Sequence, residues 1–198
     1  MKRREIDIFG VLVGLVVGCI LGFFLSTRIN INMPNDDDEV LAQVGNIYLL
    51  QIDKTSSPEI AQNTIKALKN KGLYTVAVLD GNNYYIYGGL AGTENELVNL
   101  QNSYSTIGYS SIIKKEYILD KPNVVIEDTA TFNFYTECIA NLLNSLNGDA
   151  IEISDATKAN PSNLELFSAI LAISTIQNED LLKEVRLSIY EMIIESLE

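Results

Sequence analysis

The sequence predicts an α+β protein. It should hold a four-stranded antiparallel sheet in βαββαβ order with two helices on one face, preceded by a transmembrane helix and followed by a helical module. Three features carry this reading. Residues 46–118 contain four short β-rich runs interleaved with two helical patterns. Ile8 to Leu25 is an uncharged, largely apolar run of eighteen residues, the short end of what a bilayer core requires. From about Asp128 onward, apolar residues recur at helical spacing. The chain accordingly divides into a basic stub (1–7), a membrane span (8–25), an acidic tether (26–45), the βαββαβ unit (46–118) and an acidic helical module (119–198).

Lys2, Arg3 and Arg4 precede the apolar run, which places the N-terminus in the cytoplasm and the rest of the chain outside the cell membrane. A cleaved signal peptide is the rival reading. It is disfavoured because the run exceeds a usual signal core and no Ala-x-Ala site follows it. Gly10, Gly14, Gly18 and Gly22 fall on one helix face, a spacing that permits close pairing of two helices. Glycine is also common in membrane helices generally, so homodimerisation stays open. The segment Thr27 to Val44 is polar, contains Pro34 and the run Asp36-Asp37-Asp38-Glu39, and reads as a flexible tether. The acidic run lacks the spacing and glycine of a calcium loop.

In the central unit, Tyr48, Leu50 and Ile52 alternate with Leu49, Gln51 and Asp53. Ser57-Pro58 starts a first helix, which Gly72 ends. Leu73 to Leu79 is the second strand, and Asp80-Gly81-Asn82-Asn83 forms a hairpin turn into the third, Tyr84 to Leu90. Thr93 with Glu96 has capping-box spacing for a second helix running to Gly108, and Tyr109 to Ile118 supplies the fourth strand. With both helices on one face, the other face is expected to be open and to present Gln51, Tyr85 and Tyr87. Tyrosines beside an amide suit carbohydrate, although tyrosine also favours strands for its own sake.

Beyond Lys121-Pro122-Asn123, one stripe runs from Phe132 through Tyr135, Cys138, Ile139, Leu142 and Leu143 to Leu146. A second helix is expected from Asn160-Pro161-Ser162, and a third is capped by Asn178. Such a bundle has three options: to fold alone, to pack on the sheet unit, or to form a dimer interface.

Composition narrows the chemistry. The chain carries a net charge of −12 and no histidine, so the commonest general base is missing. Residues 46–118 are neutral, with six basic and six acidic side chains, whereas 119–198 hold fourteen acidic against four basic. An acidic tail disfavours nucleic acid. Cys19 and Cys138 make no zinc or redox spacing. No nucleophile elbow or phosphate loop occurs, and nothing in the sequence sets Glu137 and Glu152 at a hydrolase separation. No enzyme activity, cofactor or metal is expected.

The unit 46–118, about three-eighths of the chain, resembles the SPOR domain, a sporulation-related repeat of bacterial division and wall-remodelling proteins. Tyr48-Leu-Leu-Gln51-Ile52 matches the family's first strand. Ala61, Leu68 and Gly72 match its first helix, Tyr84-Tyr-Ile-Tyr-Gly-Gly89 its third strand, and Gly108-Tyr109 the end of its second helix. The chain departs from the family at Asp53 and Thr55, at Tyr85 where arginine is frequent, and at Leu90-Ala91 where Pro-Phe is usual. The resemblance implies binding of peptidoglycan glycan strands, preferably those stripped of stem peptides, at sites of division, sporulation or wall remodelling. It implies a binding face of Gln51, Lys54, Tyr85 and Tyr87, to which the spacing of the fourth strand adds Tyr117. RNA-recognition domains share the βαββαβ order, but this neutral unit lacks their basic-aromatic signature. The competing reading is a scaffold in which the unit and the tail assemble with a protein partner at the membrane.

Overall fold

The computed structural model describes residues 45–124 and 128–197; the expected stub, membrane span and, apart from Gly45, tether lie outside the described residues. No helix among the described residues is long and apolar enough to cross a membrane. Four strands, β1 (Asn46–Thr55), β2 (Val76–Asp80), β3 (Asn83–Ala91) and β4 (Ile112–Tyr117), form one sheet in the order β2-β3-β1-β4. All neighbouring strands are antiparallel. The crossovers are α1 (Pro58–Lys69) and α2 (Asn95–Thr106).

Local chemistry sets where these elements begin. Ser57 Oγ accepts the Ile60 N–H at 3.3 Å, and Pro58 occupies the first turn of α1, where its missing N–H costs nothing. At the far end Gly72 takes φ 76° and Leu73 N–H returns to the Leu68 carbonyl at 3.1 Å, which closes the helix. Leu73 is thus consumed by the cap, and β2 begins at Val76 instead of the expected Leu73. Tyr109 is consumed in the same way, its N–H bonded to the Tyr104 carbonyl at 3.0 Å. Strand β4 therefore starts at Ile112 instead of Tyr109. Only the carboxylate half of the expected Thr93–Glu96 capping box is made: Glu96 Oε1 accepts from Thr93 N at 3.1 Å and from Thr93 Oγ1 at 2.7 Å, while the N-cap of α2 is Glu94, with no side-chain cap hydrogen bond.

Helices α1 and α2 cover one face, where Leu50, Ile52, Ile86 and Ala91 meet Ala61, Leu68, Leu97 and Tyr104. The opposite face is not open, contrary to expectation. Ile47, Leu49, Val76, Val78, Tyr87 and Leu90 form a second core with the C-terminal helices. These are α3 (Thr129–Asn147), the short α4 (Asp155–Ala159), α5 (Leu164–Ile173) and α6 (Glu179–Leu197), after a 3-10 turn at Lys121–Val124. The cause lies in the strands themselves. Alternation leaves apolar side chains on both faces, and each large apolar side chain taken from water stabilises by about 1.5–3 kcal/mol. Of the three options open to the helical module, the chain adopts packing on the sheet.

Helix α6 lies across β2 and β3 and also packs on α3 and α5. Its stripe Leu187, Tyr190, Ile193, Ile194 and Leu197 is buried, and Asn178 Oδ1 caps it through the Leu181 N–H at 2.9 Å. Helix α5 starts later than the sequence suggested. Asn163, not Asn160, is its N-cap, with Oδ1 accepting from Leu166 N at 3.0 Å. Arg186 of α6 donates from Nε to Ser145 Oγ at 2.8 Å and from Nη2 to the Ser145 carbonyl. This places a cation in the last turn of α3, where the helix dipole favours it. Glu137 accepts from the Ser154 backbone and hydroxyl and from the Thr157 hydroxyl. Burial opposes its ionisation, but these bonds outweigh burial and hold the carboxyl below its ordinary range. Its contacts tie the start of α4 to α3.

Two irregularities shape the β1–β3 ladder. Gly89 opposes Leu50 but Tyr87 opposes Gln51, which leaves Gly88 as an extra residue on β3. One step further, Asp53 opposes Ile86 and Lys54 opposes Tyr85, so β1 carries the extra residue there. Such bulges turn consecutive side chains to the same face. A Cβ on Gly88 would meet the Tyr104 hydroxyl at 2.4 Å, and one on Gly89 would meet Leu100 Cδ2 at 2.7 Å. Both glycines therefore lie directly beneath α2.

Gly88→Ala is expected to destabilise the protein by about 1–3 kcal/mol, the range for overpacking a filled core. Denaturant unfolding checks this, and unchanged stability would show that α2 does not seat on the glycine pair. A second expectation concerns Glu191 of α6. Burial, reinforced by Glu195, raises its carboxyl from 4.5 to about 7, with the Ala77 backbone hydrogen bond opposing the rise. The folded state holds this proton more tightly than the unfolded chain does. Its contribution is therefore fully present below about 4.5 and is lost as pH rises through about 7. Glu191→Gln should flatten this part of the pH profile and raise Tm at pH 8 more than at pH 4.

Candidate functional site

The second sheet face is divided. Toward β2 and the β3 glycines it is roofed by α6. The corner where the end of β1 meets the start of β3 carries Gln51, Lys54 and Tyr85, with Lys114 of β4 close by. Register explains why these four meet. Gln51 opposes Tyr87 on β3 and Ile112 on β4. The β1 bulge then places Lys54, three residues on, opposite Tyr85. Strict alternation would have put Asp53 beside Gln51; the bulge substitutes a cation for a carboxylate.

Tyr85 is the centre of the corner. Lys54 Nζ lies 4.9 Å from its ring centroid, and Lys114 Nζ, reaching across β1, lies 5.1 Å from it. Each contact is a cation–π attraction of about 0.5–1 kcal/mol at an exposed site. Lys54 is exposed, and Tyr85, Lys114 and Gln51 are half-buried. The Gln51 side-chain oxygen is buried without a hydrogen-bond partner, an unmet acceptor at the floor of the corner. Asp53 is exposed, and its carboxylate accepts the Lys54 backbone N–H at 2.7 Å.

Tyr87 behaves differently from its neighbour. It is 6 % exposed, lies parallel to Tyr85 with ring centroids 6.4 Å apart, and meets Tyr190 of α6 edge-on at 5.8 Å. Tyr190 donates to Glu116 Oε2 at 3.0 Å, and Glu116 pairs with Lys121 at 3.0 Å. Burial, then Glu116, raises both phenols above their ordinary range. The aromatic row Tyr85–Tyr87–Tyr190 therefore runs from the open corner into the core, and only its first ring is available from outside. Tyr117 does not join the group. Ile113 packs beneath α1 and α2 while Lys114 and Glu116 face Tyr85 and Tyr190, so alternation sends Tyr117 to the opposite side.

Of the expected residues, the structure thus gathers Gln51, Lys54 and Tyr85, sequesters Tyr87 and separates Tyr117. It adds Lys114, whose place depends on the β1–β4 register. A signal was present in the Ile112–Glu116 alternation, but no turn fixed its phase.

A separate cleft of about 660 Å³ lies between α2, the β3 glycines and the start of α6. Its walls carry Glu96, Glu179, Asp180 and Glu184. Of its cations, Lys183 pairs with Asp180 at 3.6 Å and Arg186 is held by Ser145. This cleft is acidic where the Tyr85 corner is basic.

No family model matches the chain, and no curated protein matches it. Among solved structures, it is similar to the solution structure of the peptidoglycan binding domain of the B. subtilis cell wall lytic enzyme CwlC. The two share 18 % identity over 36 % of this chain and 90 % of that one, with a TM-score of 0.34.

The two neighbouring tyrosines should separate in a stability assay. Tyr87→Ala empties a buried position and is expected to cost about 3–5 kcal/mol, by analogy with other large aromatic truncations. Tyr85→Ala should cost about 1–2 kcal/mol, the sum of the two cation–π contacts of a half-buried ring. Equal losses would contradict the assignment of only Tyr87 to the core.

Proposed function

We propose that this chain is a membrane-anchored, extracytoplasmic protein that binds the glycan strands of peptidoglycan through the Gln51–Lys54–Tyr85 corner of a SPOR-like sheet. Binding would hold it at sites of cell division, sporulation or wall remodelling. The observation that carries the reading is the convergence of these three residues, three of the four that the SPOR resemblance nominates, on an accessible part of the sheet. A tyrosine offers an apolar ring with a polar edge, Gln51 offers an amide to sugar hydroxyls, and Lys54 offers three donors. The role is binding without catalysis. Anchoring rests on the apolar run Ile8–Leu25 behind a basic stub.

One observation favours the scaffold reading. The C-terminal helices occupy much of the face that the resemblance assigns to glycan, including Tyr87, so that part of the face is closed to glycan. Sedimentation with purified sacculi separates the two readings. The full-length protein, solubilised in mild detergent, is expected to pellet with peptidoglycan, and more so after amidase removes stem peptides. Gln51→Ala with Tyr85→Ala should reduce the pelleted fraction at unchanged circular dichroism. A folded protein that stays in the supernatant under both conditions would reject wall binding and leave the scaffold reading.

A further inference from the structure

We infer that Lys54 and Lys114 form an anion subsite beside Tyr85, so that the corner selects a negatively charged sugar unit over a neutral one. The inference rests on the glycan-binding reading for its saccharide part and on the two ammonium groups for its charge part. In a chain of net charge −12, two lysines from different strands converge on one ring at 4.9 and 5.1 Å. Among the described residues, neither ammonium has a carboxylate within ion-pair distance; the ion pairs present involve Lys121, Lys158 and Lys183. The nearest acid in sequence, Asp53, is bonded to backbone. Two cations held about a ring and left without a counter-charge attract an anion.

A second, independent observation marks the same place. The Gln51 oxygen is buried and unpartnered, on the strand that separates Tyr85 from Lys114. A ligand bearing an anion beside a hydroxyl or amide N–H supplies both missing complements: a negative group for the lysines and a donor for Gln51. Wall polymers contain two groups of this chemistry, the lactyl carboxylate of a muramyl unit without its peptide and the phosphodiester of an anionic wall polymer. Lys114 is on this account a specificity residue, set by the register that pairs it with Leu49.

Saturation-transfer NMR on the full-length protein tests this with three probes: N-acetylmuramic acid, N-acetylglucosamine and glycerol phosphate. The expected result is a stronger signal for N-acetylmuramic acid than for N-acetylglucosamine. Raising the salt should weaken it, as should Lys54→Gln and Lys114→Gln, by about two- to fivefold per lysine, the range for an exposed charge pair. A glycerol phosphate signal with the same dependence would support the subsite and name the phosphodiester as its source. Equal signals for the two sugars, unmoved by salt or by either substitution, would overturn the anion subsite and leave glycan binding standing. A signal from glycerol phosphate alone, lost in Lys114→Gln, would keep the subsite and reject the glycan reading. No signal from any probe would overturn the anion subsite, and sedimentation with sacculi then decides the glycan reading by itself.

Discussion

The edge-on contact of Tyr190 with Tyr87, 5.8 Å between ring centroids, is the interaction on which the arrangement of this molecule depends. A four-stranded sheet with apolar side chains on both faces needs a cover for each, because neither face is stable against water. Helices α1 and α2 supply one cover from within the βαββαβ unit. Helix α6, which begins at Glu179, far beyond the end of α2 at Thr106, supplies the other, and Tyr190 is where it locks onto the sheet. The phenol then reaches Glu116 on β4, and Glu116 reaches Lys121. One side chain therefore links β3, β4 and the connection into the helical module. The sheet and the C-terminal helices share a core, and Ile118, at the expected division between them, is itself part of it.

What α6 leaves uncovered is decided by the two bulges. The extra residue on β3 lets Gly88 and Gly89 both pass under α2, which frees Tyr87 and Leu90 to face α6. The extra residue on β1 brings Lys54 into line with Gln51 and Tyr85. Without the first, the glycine pair would not fit below α2; without the second, Asp53 would stand where Lys54 does. The same ladder thus fixes both the packed end of the face and the cationic corner. Bulges are often found where a strand must re-aim a side chain, and here they act in compensating positions.

Much of this was legible in the residues. The order of strands and helices, the Ser57 and Asn178 caps, the Thr93–Glu96 pair and the hairpin at Gly81-Asn82 all follow from local chemistry, and local chemistry does not depend on distant contacts. Strand starts were harder to place. Leu73 and Tyr109 have strand-like character, yet each gives its N–H to the helix it follows. Alternation reports which side chains share a side and not what lies over that side, so the face expected to be open is covered by the C-terminal helices. Tyr85 and Tyr87 read identically in sequence; only the position of α6 separates them. Lys114 was missed for a related reason, since it reaches Tyr85 across an intervening strand and register between β1 and β4 is a long-range property.

The most direct test of the account is a lysine-acetylation footprint of the full-length protein with and without purified peptidoglycan. Lys54 and Lys114 should lose reactivity when the polymer is present. Lys115, adjacent in sequence and alternating to the other side of β4, should react at an unchanged rate, as should Lys66 and Lys69 on α1. Protection of Lys115, Lys66 or Lys69 with Lys54 and Lys114 still reactive would place any ligand elsewhere and contradict the assignment of the Tyr85 corner.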